Sequence, residues 1–198
     1  MPPSFAVEQT RQRMTPRQSE VFAQLVALYL RRGFSDFTLE EAATELRCSK
    51  STIYALAGSR EQLVRAVVVS FFRNAAEHVE ERLAAESDPI RRLEVYLGAV
   101  ADTLRPASAD FMDDVAAFAP DREIYERNTA IATQRVHELI VEGTAAGVFR
   151  DVPTGFIAEV MSTVMVRIQQ RAFSKNAGLT DAEAYSELAA LIVNGIKA

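Results

Sequence analysis

The stretch Thr38–Arg60, TLEEAATELRCSKSTIYALAGSR, decides the fold. Thr38 and Glu41 have the spacing of a reciprocal capping box, which opens a helix. Leu39, Ala42, Ala43 and Leu46 then recur at helical spacing. Arg47-Cys48-Ser49 reads as a tight turn. Ser49 can cap a second, shorter helix carrying Lys50, Ser51, Thr52, Ile53 and Tyr54. Ser59 and Gln62 have the spacing of another capping box, at the start of a third and much longer helix.

Two short helices across a tight turn have the shape of a helix-turn-helix. The start of the second, Ser-Lys-Ser-Thr, offers one cation and three hydroxyls. Small donors let a helix sink into the major groove, and a helix N-terminus attracts phosphate. Capped hairpins with solvated Ser and Thr also occur without any DNA contact.

The run Arg17–Leu63 resembles the DNA-binding domain of the TetR family of one-component bacterial regulators. The matching pieces stand in order: an amphipathic helix ending at Gly33-Phe34, Thr38, Ala42-Ala43, Ser49, Thr52-Ile53-Tyr54, then Ser59-Arg60-Glu61 and Leu63. Two departures from the family pattern stand out. Arg47 stands where the turn usually has Gly, and Leu56-Ala57 stands where an aromatic or His and a Phe usually follow the Tyr. The resemblance implies an all-α chain, with an N-terminal three-helix head and a C-terminal helical ligand-binding and dimerisation domain. The expected divisions are a flexible arm over 1–14, the head over 15–60, and the effector and dimerisation domain over 61–198. By matched position, Thr38, Tyr54 and Arg60 would grip phosphates, while Ser49, Lys50, Ser51 and Thr52 would face the groove. Lys50 can donate to a guanine edge or to a phosphate. Arg47 is a phosphate contact or a solvated turn residue. In the arm, Arg11 and Arg13 reach DNA or belong to a solvated tail.

Composition agrees with a globular chain: 198 residues, 48% hydrophobic, 25% charged. No apolar run approaches a membrane span, and the start lacks a signal-peptide core, so a cytoplasmic location is expected. Cys48, a single cysteine, cannot make an internal disulfide. It is a redox switch, or a small semi-buried residue where the family has Val. The net charge of −5 is unevenly spread. Residues 1–60 hold eight Lys/Arg against six acids, and the remainder is acidic. DNA affinity depends on cations at the phosphates, not on the total.

Outside the key stretch, Thr15-Pro16 with Gln18 should open the first helix, with Phe22, Leu25, Val26 and Tyr29 as its inward stripe. Further helices are expected over roughly 61–85, 90–104, 110–118, 122–146, 154–173 and 180–196, with Gly147 stopping the fourth of these. The last two carry Ile157, Val160, Met161, Val164 and Ile168, then Tyr185, Leu188 and Ile192. In the resembling family the corresponding helices form a four-helix homodimer interface; the same stripes can also close an intramolecular core. Phe71, Phe72, Tyr96, Phe111, Phe118, His137, Met161 and Met165 are candidate ligand contacts, suggesting a hydrophobic or aromatic effector. Each can equally be core.

No phosphate loop, nucleophile elbow or metalloprotease motif is present, and His78 and His137 have no companion ligands. Paired acids such as Asp113-Asp114 and Glu80-Glu81 read as solvated helix faces. The expected function is a non-enzymatic regulator without cofactor or metal. Its partners would be a palindromic double-stranded operator and a small molecule, repression being the default. The competing reading is a helical interaction or sensing module with degenerate DNA binding.

Overall fold

The structure, a computed structural model, describes residues 14–150 and 152–196, the side chain of Ile90 apart. The arm with Arg11 and Arg13 lies outside the described residues. The described chain is all-α: α1 (Pro16–Arg32), α2 (Leu39–Glu45), α3 (Lys50–Tyr54), α4 (Arg60–Ala84), α5 (Pro89–Leu104), α6 (Ala109–Ala117), α7 (Ala119–Ala145), α8 (Thr154–Gln169), α9 (Ala172–Ala177) and α10 (Asp181–Ile196).

The helix starts follow from side-chain chemistry. Thr15–Gln18 and Thr38–Glu41 both form reciprocal capping boxes. Thr180–Glu183 does the same at α10. At α4 the Ser59 hydroxyl accepts from the Gln62 amide, but the Gln62 side chain accepts from Gly58 instead of closing a box.

α1 to α3 form the head. The inward stripe of α1 is Val21, Leu25, Leu28 and Tyr29, rotated by about one residue from the expected set; Phe22 and Val26 flank it half-buried. α4 belongs to both parts of the molecule. Its first turn meets the head, and Leu63, Val64, Val67, Val68, Phe71 and Phe72 are all buried. In the body, α5 lies between α4 and α10, while α7 packs on α8, α4, α5 and α6.

Two features of the body differ from expectation. α7 starts at Ala119, three residues before the expected Arg122, because Pro120 is accommodated in its first turn. Asp121 therefore caps nothing. It lies inside the helix, 0% exposed, and neither carboxylate oxygen has a hydrogen-bond partner.

The expected helix over 154–173 ends at Gln169. Arg171 adopts a left-handed backbone, φ 60°, and Phe173 falls in the separate α9. The cause is a buried polar cluster that helical periodicity cannot reveal. Arg171 is buried; its Nε donates to Asp113 at 2.8 Å and its Nη1 pairs with Asp181. Burial raises the pKa of Tyr125, so its hydroxyl stays protonated and donates to Asp181 at 3.1 Å.

The stripes on α8 and α10 divide between the interior and the half-buried surface. Met161, Ile168, Tyr185, Leu188 and Ile192 are buried inside the chain against α7 and α5. Ile157, Val160 and Val164 are half-buried. The side chains facing outward are Phe156 and Leu191, 64% and 72% exposed, with Val166.

Asp121 has a measurable consequence. Burial raises its pKa to about 6, against a lowering influence from Arg65. A carboxyl whose pKa is higher folded than unfolded contributes stability below the unfolded value and loses it as pH rises through the folded one. Raising the pH from about 4 to about 7 should therefore cost up to about 3 kcal/mol at this group. Asp121→Asn should remove that decline in urea denaturation. Identical pH slopes for the two proteins would show that Asp121 does not titrate this way.

Candidate nucleic-acid interface and its link to the body

The recognition segment is anchored from below by one side chain. Ile53 is fully buried, while Lys50, Ser51 and Tyr54 on the same five-residue helix are exposed and Thr52 is half-buried. Ser49 organises the tip. Its hydroxyl accepts from the Thr52 amide at 3.2 Å and shares hydrogen bonds of 2.8 Å with the Ser51 and Thr52 hydroxyls. Ser49 is thus occupied as a cap, and Lys50, Ser51 and Tyr54 project furthest.

Arg47 sits in the turn with φ 50°, the left-handed conformation that Gly adopts without steric cost. The departure from the family pattern is therefore absorbed by the backbone, and the Arg47 side chain remains exposed. Cys48 is half-buried against the head core, and Leu56 and Ala57 pack against that core too.

Charges around the tip are already engaged. Lys50 Nζ lies 3.0 Å from Glu40 Oε1. The Lys50 hydrogen bond holds the Glu40 carboxyl below its ordinary pKa. Thr38, Tyr54 and Arg60 line one open cleft of ≈ 430 Å³, together with Asp36 and Glu40. Arg60 is placed differently from a free phosphate clamp. Its guanidinium donates to the carbonyls of Phe34, Ser35 and Phe37, which fastens the loop between α1 and α2 to the first turn of α4.

The same loop is held from the other side by α6. Asp114 Oδ2 accepts from the amides of Phe34 at 2.6 Å and Ser35 at 2.9 Å. Gly33, with φ 71°, permits this approach; a Cβ there would come within 2.5 Å of the carboxylate. The Ser108 amide donates to Leu30 at 2.7 Å, and the Phe34 ring meets Phe111 edge-on at 5.9 Å. The acidic pair Asp113-Asp114 is therefore more than a solvated face, although Asp113 is exposed. One carboxylate holds the head and its neighbour holds Arg171.

The candidate ligand contacts divide. Phe71 packs edge-on against Phe72 and Phe111, at 5.1 and 5.4 Å, and Phe72 lies 5.0 Å from Tyr125. Tyr96, Met161 and Met165 are also buried. These side chains fill the core against one another. Phe118 is exposed and His137 half-buried. Among the described residues no group of three or more potential metal ligands comes together, and no helix is long and apolar enough to cross a membrane.

Among the described residues, a head of three helices is joined by one long helix to a body of six, and this arrangement is shared. A TetR transcription regulator from Haloarcula marismortui superposes with a TM-score of 0.72 at 18% identity, covering 93% of this chain and 100% of its own. The chain has the fold of the TetR-family regulators. A putative transcriptional regulator from Saccharomonospora viridis, solved with choline, gives 0.68 at 18% identity, over 92% of this chain and 98% of its own. AibR, solved with isovaleryl coenzyme A and operator DNA, gives 0.59 at 17% identity, over 88% and 97%. No family model matches the sequence, and no curated protein does. At this level of identity the TetR-like fold is carried by backbone arrangement and burial pattern.

The Asp114 latch is testable apart from DNA. Asp114→Asn keeps the size of the side chain but loses the charge that strengthens both amide bonds, about 1.5–3 kcal/mol for a charged acceptor. Hydrogen exchange at Phe34 and Ser35 should accelerate while α5 and α10 keep their protection. Unchanged exchange at both amides would remove the latch.

Proposed function

We propose that the chain is a sequence-specific DNA-binding transcriptional regulator, acting by default as a repressor. The observation that carries this reading is the tip of α3: Lys50, Ser51 and Tyr54 exposed on a helix whose inward residue, Ile53, is fully buried. A recognition helix needs that division, since its outer face must meet base edges while its inner face holds it to the domain. AibR, of the same fold, is solved with operator DNA. Residues 15–60 would form the DNA-binding head and 61–198 the effector and dimerisation domain.

In this reading Thr38 and Tyr54 contact phosphates across their shared cleft, with Arg47 beside them. Lys50 leaves Glu40 for a guanine edge or a phosphate. Ser51 and Thr52 approach the groove, while Ser49 keeps the helix start in shape. Arg60 acts indirectly, by holding the loop that positions Thr38.

Two copies would read a palindrome, the heads about one DNA turn apart. The outward side chains Phe156 on α8 and Leu191 on α10, with half-buried Ile157, Val160 and Val164, are the apolar material for such a pairing. An effector favouring one spacing of the heads would shift DNA affinity by its differential affinity for the two states. The α6 carboxylates give that shift a route, because one helix holds both the head loop and Arg171. An aromatic effector in the ring cluster would have to displace side chains already packed there.

The test is a salt-dependent binding titration on DNA flanking the chain's own gene. Lys50→Ala and Tyr54→Ala should each weaken binding by roughly 5- to 100-fold with helicity unchanged. If Lys50 meets a phosphate, its removal should also lower the salt slope by about one. Glu40→Gln should tighten binding, since it frees Lys50 and removes a charge of the phosphate's own sign. Full affinity in both alanine variants would take this surface out of the DNA complex.

A further inference from the structure

The face between α7 and α8 holds an open groove of ≈ 360 Å³. Its uncharged polar lining is Thr129 and Thr133 from α7, Ser162 and Gln169 from α8, and Gln170 just after α8. Thr129 and Gln169 are 4% and 5% exposed, so two polar side chains are sunk into the lining. The Thr129 hydroxyl oxygen is buried without a hydrogen-bond partner. Thr133 Oγ1 has the Met165 sulfur, a weak acceptor, at 3.8 Å. A buried hydroxyl without a partner carries a desolvation cost, and a ligand atom that satisfies it recovers that cost.

The chemistry of the lining narrows the ligand. No lysine or arginine lines the groove, so an anion would gain no cation there. Its one charged side chain, Glu126, lies 3.7 Å from Arg122 and would repel an anion further. No aromatic ring lines it, and its apolar contributions are Ala130 and Val166. What remains are hydroxyls and carboxamides, each both donor and acceptor. Thr129 and Thr133 are four residues apart on a helix, so they recur about 6 Å apart on one side. Ser162 and Gln169 continue the polar row on the other.

We infer that this α7–α8 groove is the effector site and that it takes a small, uncharged polyhydroxyl molecule of sugar or polyol type. The inference rests on the regulator reading for the word effector, but the binding itself does not need DNA. The hydroxyl of Thr129 reads one ligand hydroxyl, and the Gln169 carboxamide reads another from α8. Binding ties α7 to α8, the helix whose outer side carries Phe156 and whose end leads into Arg171.

The experiment uses the full chain with methyl-labelled threonine, observed by NMR without DNA. Xylitol and D-glucose are the probes; benzoate and inorganic phosphate are the comparators. The Thr129 and Thr133 methyl resonances should move and saturate with a polyol, at concentrations roughly tenfold below any effect of the comparators. Thr129→Val keeps the shape, removes the stranded hydroxyl and should raise the melting temperature of the free protein. It should also raise the polyol midpoint read at Thr133 by roughly tenfold. Polyols stabilise proteins generally, so a linear, unsaturated response equal in both proteins is a solvent effect and overturns the proposal. Preference for benzoate or phosphate overturns it as well. So do threonine signals that respond to protein concentration and to no probe, because a second copy then fills the groove. If polyol binding holds while DNA binding fails, the regulator reading falls and the groove stands; the reverse result removes only the groove.

Discussion

The Asp114 carboxylate accepts two consecutive amides in the loop that follows α1, and Arg60 takes the carbonyls of the same loop. Between them these charged groups satisfy the donors and acceptors of a segment that forms no helix of its own. Buried or half-buried backbone cannot be left unpaired without cost. The position of the head therefore depends on one carboxylate from α6 and one guanidinium from α4. The glycine at 33 is a condition of this arrangement, since any larger residue would push the carboxylate away. Helix α3 is held instead by buried Ile53 and by the exposed Lys50–Glu40 pair to α2.

The head was legible in the sequence because its rules are local. Capping boxes at Thr15 and Thr38 and the glycine after α1 act within four residues, and each left a direct trace. The resemblance over Arg17–Leu63 pointed to the same architecture that the solved neighbours share. Even the departure at Arg47 turned out to concern backbone conformation alone. The turn keeps a left-handed residue, and the side chain there is free of the core.

The body was legible as helices, while what each apolar stripe covers was not. Periodicity identifies an apolar stripe but not what covers it, and on α8 and α10 the stripe faces α7 and α5. Phe156 and Leu191 fall off the main stripe, so a reading that follows the strongest repeat passes over them. The Arg171 cluster was invisible for a different reason. Its members, Asp113, Tyr125, Arg171 and Asp181, come from distant parts of the chain and meet only after folding. Asp121 likewise carries no sign in the sequence of where its side chain lies. Its burial is a property of how α7 lies on the body.

The five-residue helix at the tip is held by a single apolar anchor. Its outward positions make little contribution to the head's interior, so replacing them leaves the fold largely indifferent. Ile53 and the Ser49 hub form a mount, and the residues at 50, 51 and 54 are interchangeable fittings upon it. Under the proposed function, a new target sequence needs only surface substitutions on this mount, and the hydrophobic centre stays as it is.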